Sequence, residues 1–161
     1  MMRAGAQMVD LISLLTSFSR RINRAKWWLG LAIIGVANVL GAMLINPRLF
    51  TAEELPPPSW PDTIWQLTLL YPLTAITVKR FKDANRPAWL GYWFAPLGAA
   101  LYLGPHIRQL FGPLEPATLA TFIMPLFVYF VFAFIDNGFV RGTDGPNRYG
   151  PDPLARSVQA A

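Results

Sequence analysis

The sequence predicts an all-α integral membrane protein: a four-helix bundle with an amphipathic amino-terminal helix and a turn-rich carboxy-terminal tail. Three observations carry that expectation. Of 161 residues, 53% are hydrophobic and only 14% charged, and a mean hydropathy of +0.34 argues against an ordinary soluble domain. The apolarity is gathered into four runs without any Asp, Glu, Lys or Arg, at 27–45, 64–78, 88–104 and 118–135. With their flanking aromatics these approach the length of about 20 residues that a bilayer core requires. Finally, the cations are distributed unevenly between the connecting segments. With four spans, twelve of the fourteen Lys and Arg residues fall on one side, and only Arg48 and Arg108 fall on the other, beside Glu53, Glu54, Asp62 and Glu115. Positive charge is retained on the cytoplasmic side, so both termini are expected there.

Residues 8–24 read as one amphipathic helix, because Met8, Leu11, Ile12, Leu15, Phe18 and Ile22 recur at helical spacing while Asp10, Ser13, Arg20 and Arg24 lie off that face. Such a helix lies in the membrane interface or packs on the protein's own bundle. Ser19-Arg20-Arg21 resembles a twin-arginine export signal, but Asn23 stands where an apolar residue is usual, so no cleaved leader is expected. The first span, 26–45, carries Ala37 and Gly41 as a small-xxx-small pair suited to close helix approach. Its Asn38 is expected to bond to another helix. Residues 46–62 form an acidic loop stiffened by Pro56-Pro57-Pro58 and Pro61.

The second span, 64–78, contains Pro72 and is followed by a basic turn from Val78 to Trp89. The third, beginning at Trp89, contains Pro96 and closes at Gly104-Pro105, which leaves His106 in a loop reaching residue 117. The fourth, 118–135, is aromatic all round, contains Pro125 and ends at Asp136. Beyond it the Gly, Pro, Asn and Asp residues of 141–153 predict a chain of ordered turns. The chain thus divides into a cytoplasmic amphipathic or interfacial helix (1–25), a four-span domain (26–138) and a cytoplasmic Gly/Pro-rich tail (139–161).

Three polar motifs converge on the expected cytoplasmic face: Arg20-Arg21-Ile22-Asn23-Arg24, the stretch from Arg80 to Trp89, and Asn147-Arg148-Tyr149-Gly150. With their flanks, from Phe18 to Trp28, Lys79 to Trp89 and Gly145 to Pro153, they resemble the three signatures of the DUF805 family of small bacterial inner-membrane proteins of undetermined function. Arg20 stands where that family usually has Gly and Lys82 where it often has His. Asn85-Arg86-Pro87-Ala88 replaces a common Gly-Arg-Ser-Gly. The resemblance implies a multi-pass bacterial inner-membrane protein and supplies no catalytic residues.

The candidate site is a cytoplasmic polar network or anion site of Arg21, Arg24, Arg80, Lys82, Asp83, Asn85, Arg86, Asn147, Arg148 and Tyr149. In the structural reading Asp83 pairs with Arg21, Arg24 or Arg148, and Asn85 and Asn147 cap turns. In the binding reading Arg80, Lys82, Arg86 and Arg148 hold an anionic headgroup or phosphate. No catalytic, cofactor or metal residues are assigned. Cysteine is absent, His106 is the single histidine, and no phosphate loop, nucleotide fingerprint or activated Ser/His pair is visible. The net charge of +5 lies beside apolar spans, so anionic lipid is expected as the partner and not nucleic acid. A membrane-protein partner or a second copy of the chain is also compatible. The expected role is that of a structural or interaction component, with a lipid- or phosphate-binding protein or a small transporter or channel component as alternatives.

Overall fold

The computed structural model describes residues 10–51, 56–57 and 59–154. Met8, Arg3, Glu53, Glu54, Pro58 and Arg156, which entered the sequence reading, lie outside them. Among the described residues there are helices and no strand; one isolated antiparallel bridge joins Asn147 and Gly150. A short helix, α1, covers 10–16. It is followed by α2 (Arg24–Ile45), a 3-10 turn (Pro47–Phe50), α3 (Trp60–Asp83), α4 (Ala88–Tyr92), α5 (Phe94–Phe111) and α6 (Pro116–Gly138).

The amphipathic segment expected over 8–24 is two pieces. Its helix stops at Thr16; Ser17 Oγ then accepts from the Ser19 backbone N–H, and Arg20 turns the chain at φ +68. Asn23 begins a new helix as the N-cap of α2, its side chain accepting from the Lys26 N–H at 2.9 Å. α1 lies against the protein itself: Leu14 and Ile22 are buried with Trp27, Ile34 and Ile76 in one apolar cluster. Tyr71 also donates to the Thr16 carbonyl.

The basic stretch is likewise mostly helix, since α3 continues through Asp83 and puts Lys79, Arg80 and Lys82 on its last turns. It stops in a Schellman arrangement, with Asn85 N–H bonded to Lys82 O and Arg86 N–H to Phe81 O, and with Asn85 at φ +55. The third expected span is broken and longer. Pro96 has no N–H for the Tyr92 carbonyl, so α4 ends there and α5 begins with Pro96 in its first turn. Gly104-Pro105 does not close it; α5 runs to Phe111 and ends at Gly112, φ +85, before Pro113. His106 is therefore a buried helical residue and not a loop residue. It shares a 2.7 Å hydrogen bond with Thr63 and stacks on Trp60 at 4.1 Å.

α3 is the central element, in contact with α2, α4, α5 and α6. Its residues 74–81 are all buried. Close approach is secured by glycines on its neighbours: a Cβ on Gly91 would lie 2.6 Å from the Val78 Cα, and one on Gly41 2.2 Å from the Trp65 ring. Gly41 thus admits an indole, not a neighbouring backbone. Asn38 accepts from Gln66 of α3 at 2.9 Å, while Thr68 and Thr121 turn back onto carbonyls of their own helices. These mid-helix polar groups are thereby satisfied internally.

Two helices, α2 and α6, are long and apolar enough to span a membrane, with windows of mean hydropathy 2.2. Only 17% and 6% of those windows are buried. The core helix of a soluble protein would be mostly covered, so these faces point to a membrane location.

The packing separates two glycines sharply. Gly91→Ala is expected to destabilise the protein by about 1–3 kcal/mol, because the new methyl meets backbone. Gly35→Ala, with nothing within 4 Å of its Cβ, is expected to stabilise α2 by up to about 1 kcal/mol. Thermal unfolding of both variants in detergent checks the contrast.

Candidate functional site

The amino end of α2, the carboxyl ends of α3 and α6 and the start of α4 meet at one end of the molecule, where the tail folds over them. Asp83, on the last turn of α3, is the centre of that meeting. Its side chain is 6% exposed and is held by two guanidiniums: Arg21 Nε donates to Oδ1 at 3.1 Å, and Arg80 Nη1 to Oδ2 at 2.5 Å. Burial pushes the Asp83 carboxyl up, while Arg80 and Arg21 pull it down.

Arg21 reaches further than any other side chain here. Nη1 donates to the carbonyls of Gly145 (2.9 Å) and Gly150 (3.3 Å), and Nη2 to Thr143 O (2.7 Å), Thr143 Oγ1 (3.0 Å) and Asp83 O (3.5 Å). A planar guanidinium carries five N–H donors in a fixed fork, a reach that an ammonium cannot reproduce. The tail binds in return: Thr143 donates to Asp83 O through both N–H and hydroxyl, and Asn147 Nδ2 donates to Lys82 O and Thr143 Oγ1. Gly142 lies so close that a Cβ there would sit 2.1 Å from Asp83 Oδ2.

The α3 cations satisfy carbonyls at the ends of other segments. Arg80, fully buried, donates to Asn137 O at 2.8 Å and to Val140 O, at the carboxyl end of α6. Lys79 donates to the Ser13 and Leu14 carbonyls in the last turn of α1, and Lys82 to Phe18 O at 2.7 Å. Helix carboxyl ends leave carbonyls without intrahelical partners and carry partial negative charge, so cations are favoured there. Arg24 likewise donates to Phe139 O. Arg86, half exposed, binds Asp136 Oδ1 through Nε and Nη2 at 3.2 and 3.0 Å.

Arg148 donates to Asn85 O and lies 4.8 Å from the Tyr149 ring, whose hydroxyl accepts from the Ala88 N–H. Asn147 Oδ1 caps the turn by accepting from the Tyr149 N–H. Further along the tail, backbone N–H donors of Leu154 and Gly145 hold the Asp152 carboxyl below its usual range.

All ten candidate residues therefore come together, and one of the three arginines expected for Asp83 is its partner. Asp83 takes Arg21 but neither Arg24 nor Arg148, which go to carbonyls. Its second partner, Arg80, was legible as an i, i+3 pair on a continuing helix. Arg80 is also withdrawn from the anion site assigned to it with Lys82, Arg86 and Arg148, since it is wholly buried and committed to protein acceptors. Gly142, Thr143 and Lys79 also belong to the network; Lys79 opens the second signature, whereas Gly142 and Thr143 carried no distinctive signal in the sequence. No group of three or more His, Cys, Asp or Glu side chains able to hold a metal ion occurs among the described residues.

A family model described as "Protein of unknown function (DUF805)" matches residues 15–151. The chain belongs to the DUF805 family. No curated protein and no solved structure matches it. The match spans α2 to α6 together with all ten residues of the network. In this DUF805 protein Arg20 and Asn85 are the two described non-glycine residues with positive φ, at +68 and +55, and both stand where the family resemblance leads one to expect glycine. Asparagine tolerates the left-handed region; arginine occupies it at a cost of about 1–2 kcal/mol.

Two predictions follow from this geometry. Asp83→Asn is expected to destabilise the DUF805 fold by about 3–5 kcal/mol, because it leaves two buried guanidiniums without their carboxylate. Arg141→Ala, which breaks only the exposed pair with Asp144, should cost less than about 1 kcal/mol. Limited proteolysis of residues 142–154 and thermal melting report both.

A further prediction concerns Lys79, just beyond the apolar run 64–78. Burial lowers its ammonium from the ordinary 10.5 to about 8, with Lys26 and Lys82 adding to the depression. Between those values the unfolded chain binds more protons than the folded one, so stability rises with pH across the window. Burial of Lys82 acts in the same direction. Melting temperatures should climb as pH increases through that range, less steeply in Lys79→Met; a flat parent profile would contradict the burial of this ammonium.

Proposed function

We propose that this DUF805 protein is a four-span protein of the bacterial inner membrane, with both termini cytoplasmic, serving as a structural or interaction component. The observation that carries this reading is the separation of surfaces. α2 and α6 leave large side chains uncovered along their length, with Leu44 84%, Phe122 63% and Phe127 61% exposed. The ionisable groups of the three signatures are gathered instead at one end of the helices.

α3 and α5, with the α4 turn, supply the other two crossings. Their carboxyl and amino ends alternate with those of α2 and α6: Asn46 meets Asp62 and Thr63 meets His106 at the far end, while Arg24 meets Phe139 at the charged end. An even number of crossings puts Arg48 and Arg108 opposite the charged end, in keeping with retention of cations inside. The clasp then fixes the cytoplasmic ends relative to one another, giving a rigid face beside the lipid headgroups on which a membrane partner or second copy can dock. Ion networks of this kind specify geometry more than they add stability.

Reporter fusions test the topology. Alkaline phosphatase inserted after Thr51 or Pro113 is expected to be active, and a fluorescent protein fused after Ala161 is expected to glow. An inactive phosphatase at both loops, or a dark carboxy-terminal fusion in a well-expressed protein, would overturn it.

A further inference from the structure

Beside the clasp, and separate from the four cations assigned to an anion site in the sequence, a cavity of about 480 Å³ opens between α1, the 17–20 turn and the ends of α2 and α3. Its wall carries Arg20, Arg21, Lys26 and Lys79 against one carboxylate, Asp10. Arg21 is already committed to Asp83 and the tail. Asp10 is exposed and lies 3.7 Å from Lys26. Lys79 is 2% exposed, donates only to two carbonyls, and has no carboxylate partner among the described residues. A buried ammonium without a counter-charge is costly, and an anion in the cavity would supply that charge.

Two further features point the same way. Arg20 adopts the left-handed φ of +68, and a glycine would fill that turn without strain, yet the chain keeps a cation there on the cavity wall. The hydroxyls of Ser17 and Ser19 share one hydrogen bond of 2.6 Å, so one of the two protons remains free to donate elsewhere. Leu11, Leu14, Ile22 and Leu29 add apolar surface to the lining beside the polar groups.

We propose that this cavity binds a phosphate group, carried by a phospholipid headgroup or by a soluble phosphate ester, with Arg20, Lys26 and Lys79 as its cationic wall. Only the lipid source rests on the membrane reading above. The one free seryl proton donates to a phosphate oxygen, and the leucines lie against the glycerol or acyl portion of the carrier. The site differs from the Arg80, Lys82, Arg86 and Arg148 set in using cations that line an open volume.

The test uses the full chain and its R20G and K26Q variants. In nanodiscs of phosphatidylcholine with phosphatidic acid, native mass spectrometry reads which lipid stays bound. In detergent, titration with glycerol 3-phosphate reads the soluble source. Each substitution is expected to weaken phosphate retention about fivefold, the effect of one cation at a charged headgroup. The melting temperature of R20G should hold or rise, because glycine relieves the strained turn; that separates a lost contact from a lost fold.

Retention of phosphatidic acid alone assigns the lipid source, and binding of glycerol 3-phosphate assigns the soluble one. If neither probe binds, or if both variants bind as the parent does, the site is overturned. A failed membrane topology is read by the reporter fusions and leaves the glycerol 3-phosphate titration intact.

Discussion

The burial of Asp83 between Arg21 and Arg80 is the constraint on which the charged end of this protein depends. Three ionised groups, all nearly inaccessible to water, would be strongly unfavourable in isolation, and their mutual attraction offsets that cost only when the remaining donors also find acceptors. The structure meets this condition by recruiting backbone. Arg21 draws in the carbonyls of 143, 145 and 150, and Arg80 those of 137 and 140. The tail and the end of α6 are thus fixed by the need of two buried guanidiniums for oxygen ligands. Gly142 follows from the same constraint, since any side chain there would occupy the space of the Asp83 carboxylate.

Placing cations on the last turns of α3 has a second consequence. Lys79, Arg80 and Lys82 leave one helix and donate to carbonyls of other segments, so charges suited to keep this end out of a bilayer also join its segments. One residue type serves topology and packing together. The arrangement also sorts the basic residues by availability: Arg21 and Arg80 are locked inside, whereas Arg20 and Lys26 face the cavity beside α1 with weaker commitments. Counting charges along the chain cannot make that distinction, because it depends on which carbonyls lie within reach.

The legible and illegible parts of the fold divide along physical lines. The four long helices were readable because an apolar run without charge has few other stable arrangements, and the convergence of the ten network residues was readable because three polar motifs flank the same ends of those runs. The boundaries were less visible. The basic stretch looked like a loop, yet helix continues to Asp83 and stops only where Asn85 turns left-handed. Gly104-Pro105 looked like a stop, yet α5 continues through Pro105 to Phe111. The Gly-Pro pair before His106 predicts a loop there, whereas Thr63 and Trp60 hold it in α5.

By itself the sequence determined the helical class, the uneven division of charge and membership of a family through its three polar signatures, since these depend on composition and local order alone. Tertiary structure decided which arginines hold Asp83, that Arg80 is sealed from solvent, and that α1 folds back onto α3 instead of standing apart. Those outcomes depend on distances between residues far apart in the chain, such as the 62 positions between Arg21 and Asp83 and the 124 between Arg21 and Gly145. A guanidinium's choice among several carboxylates and carbonyls is settled only when the helices have brought some of them to within hydrogen-bonding distance.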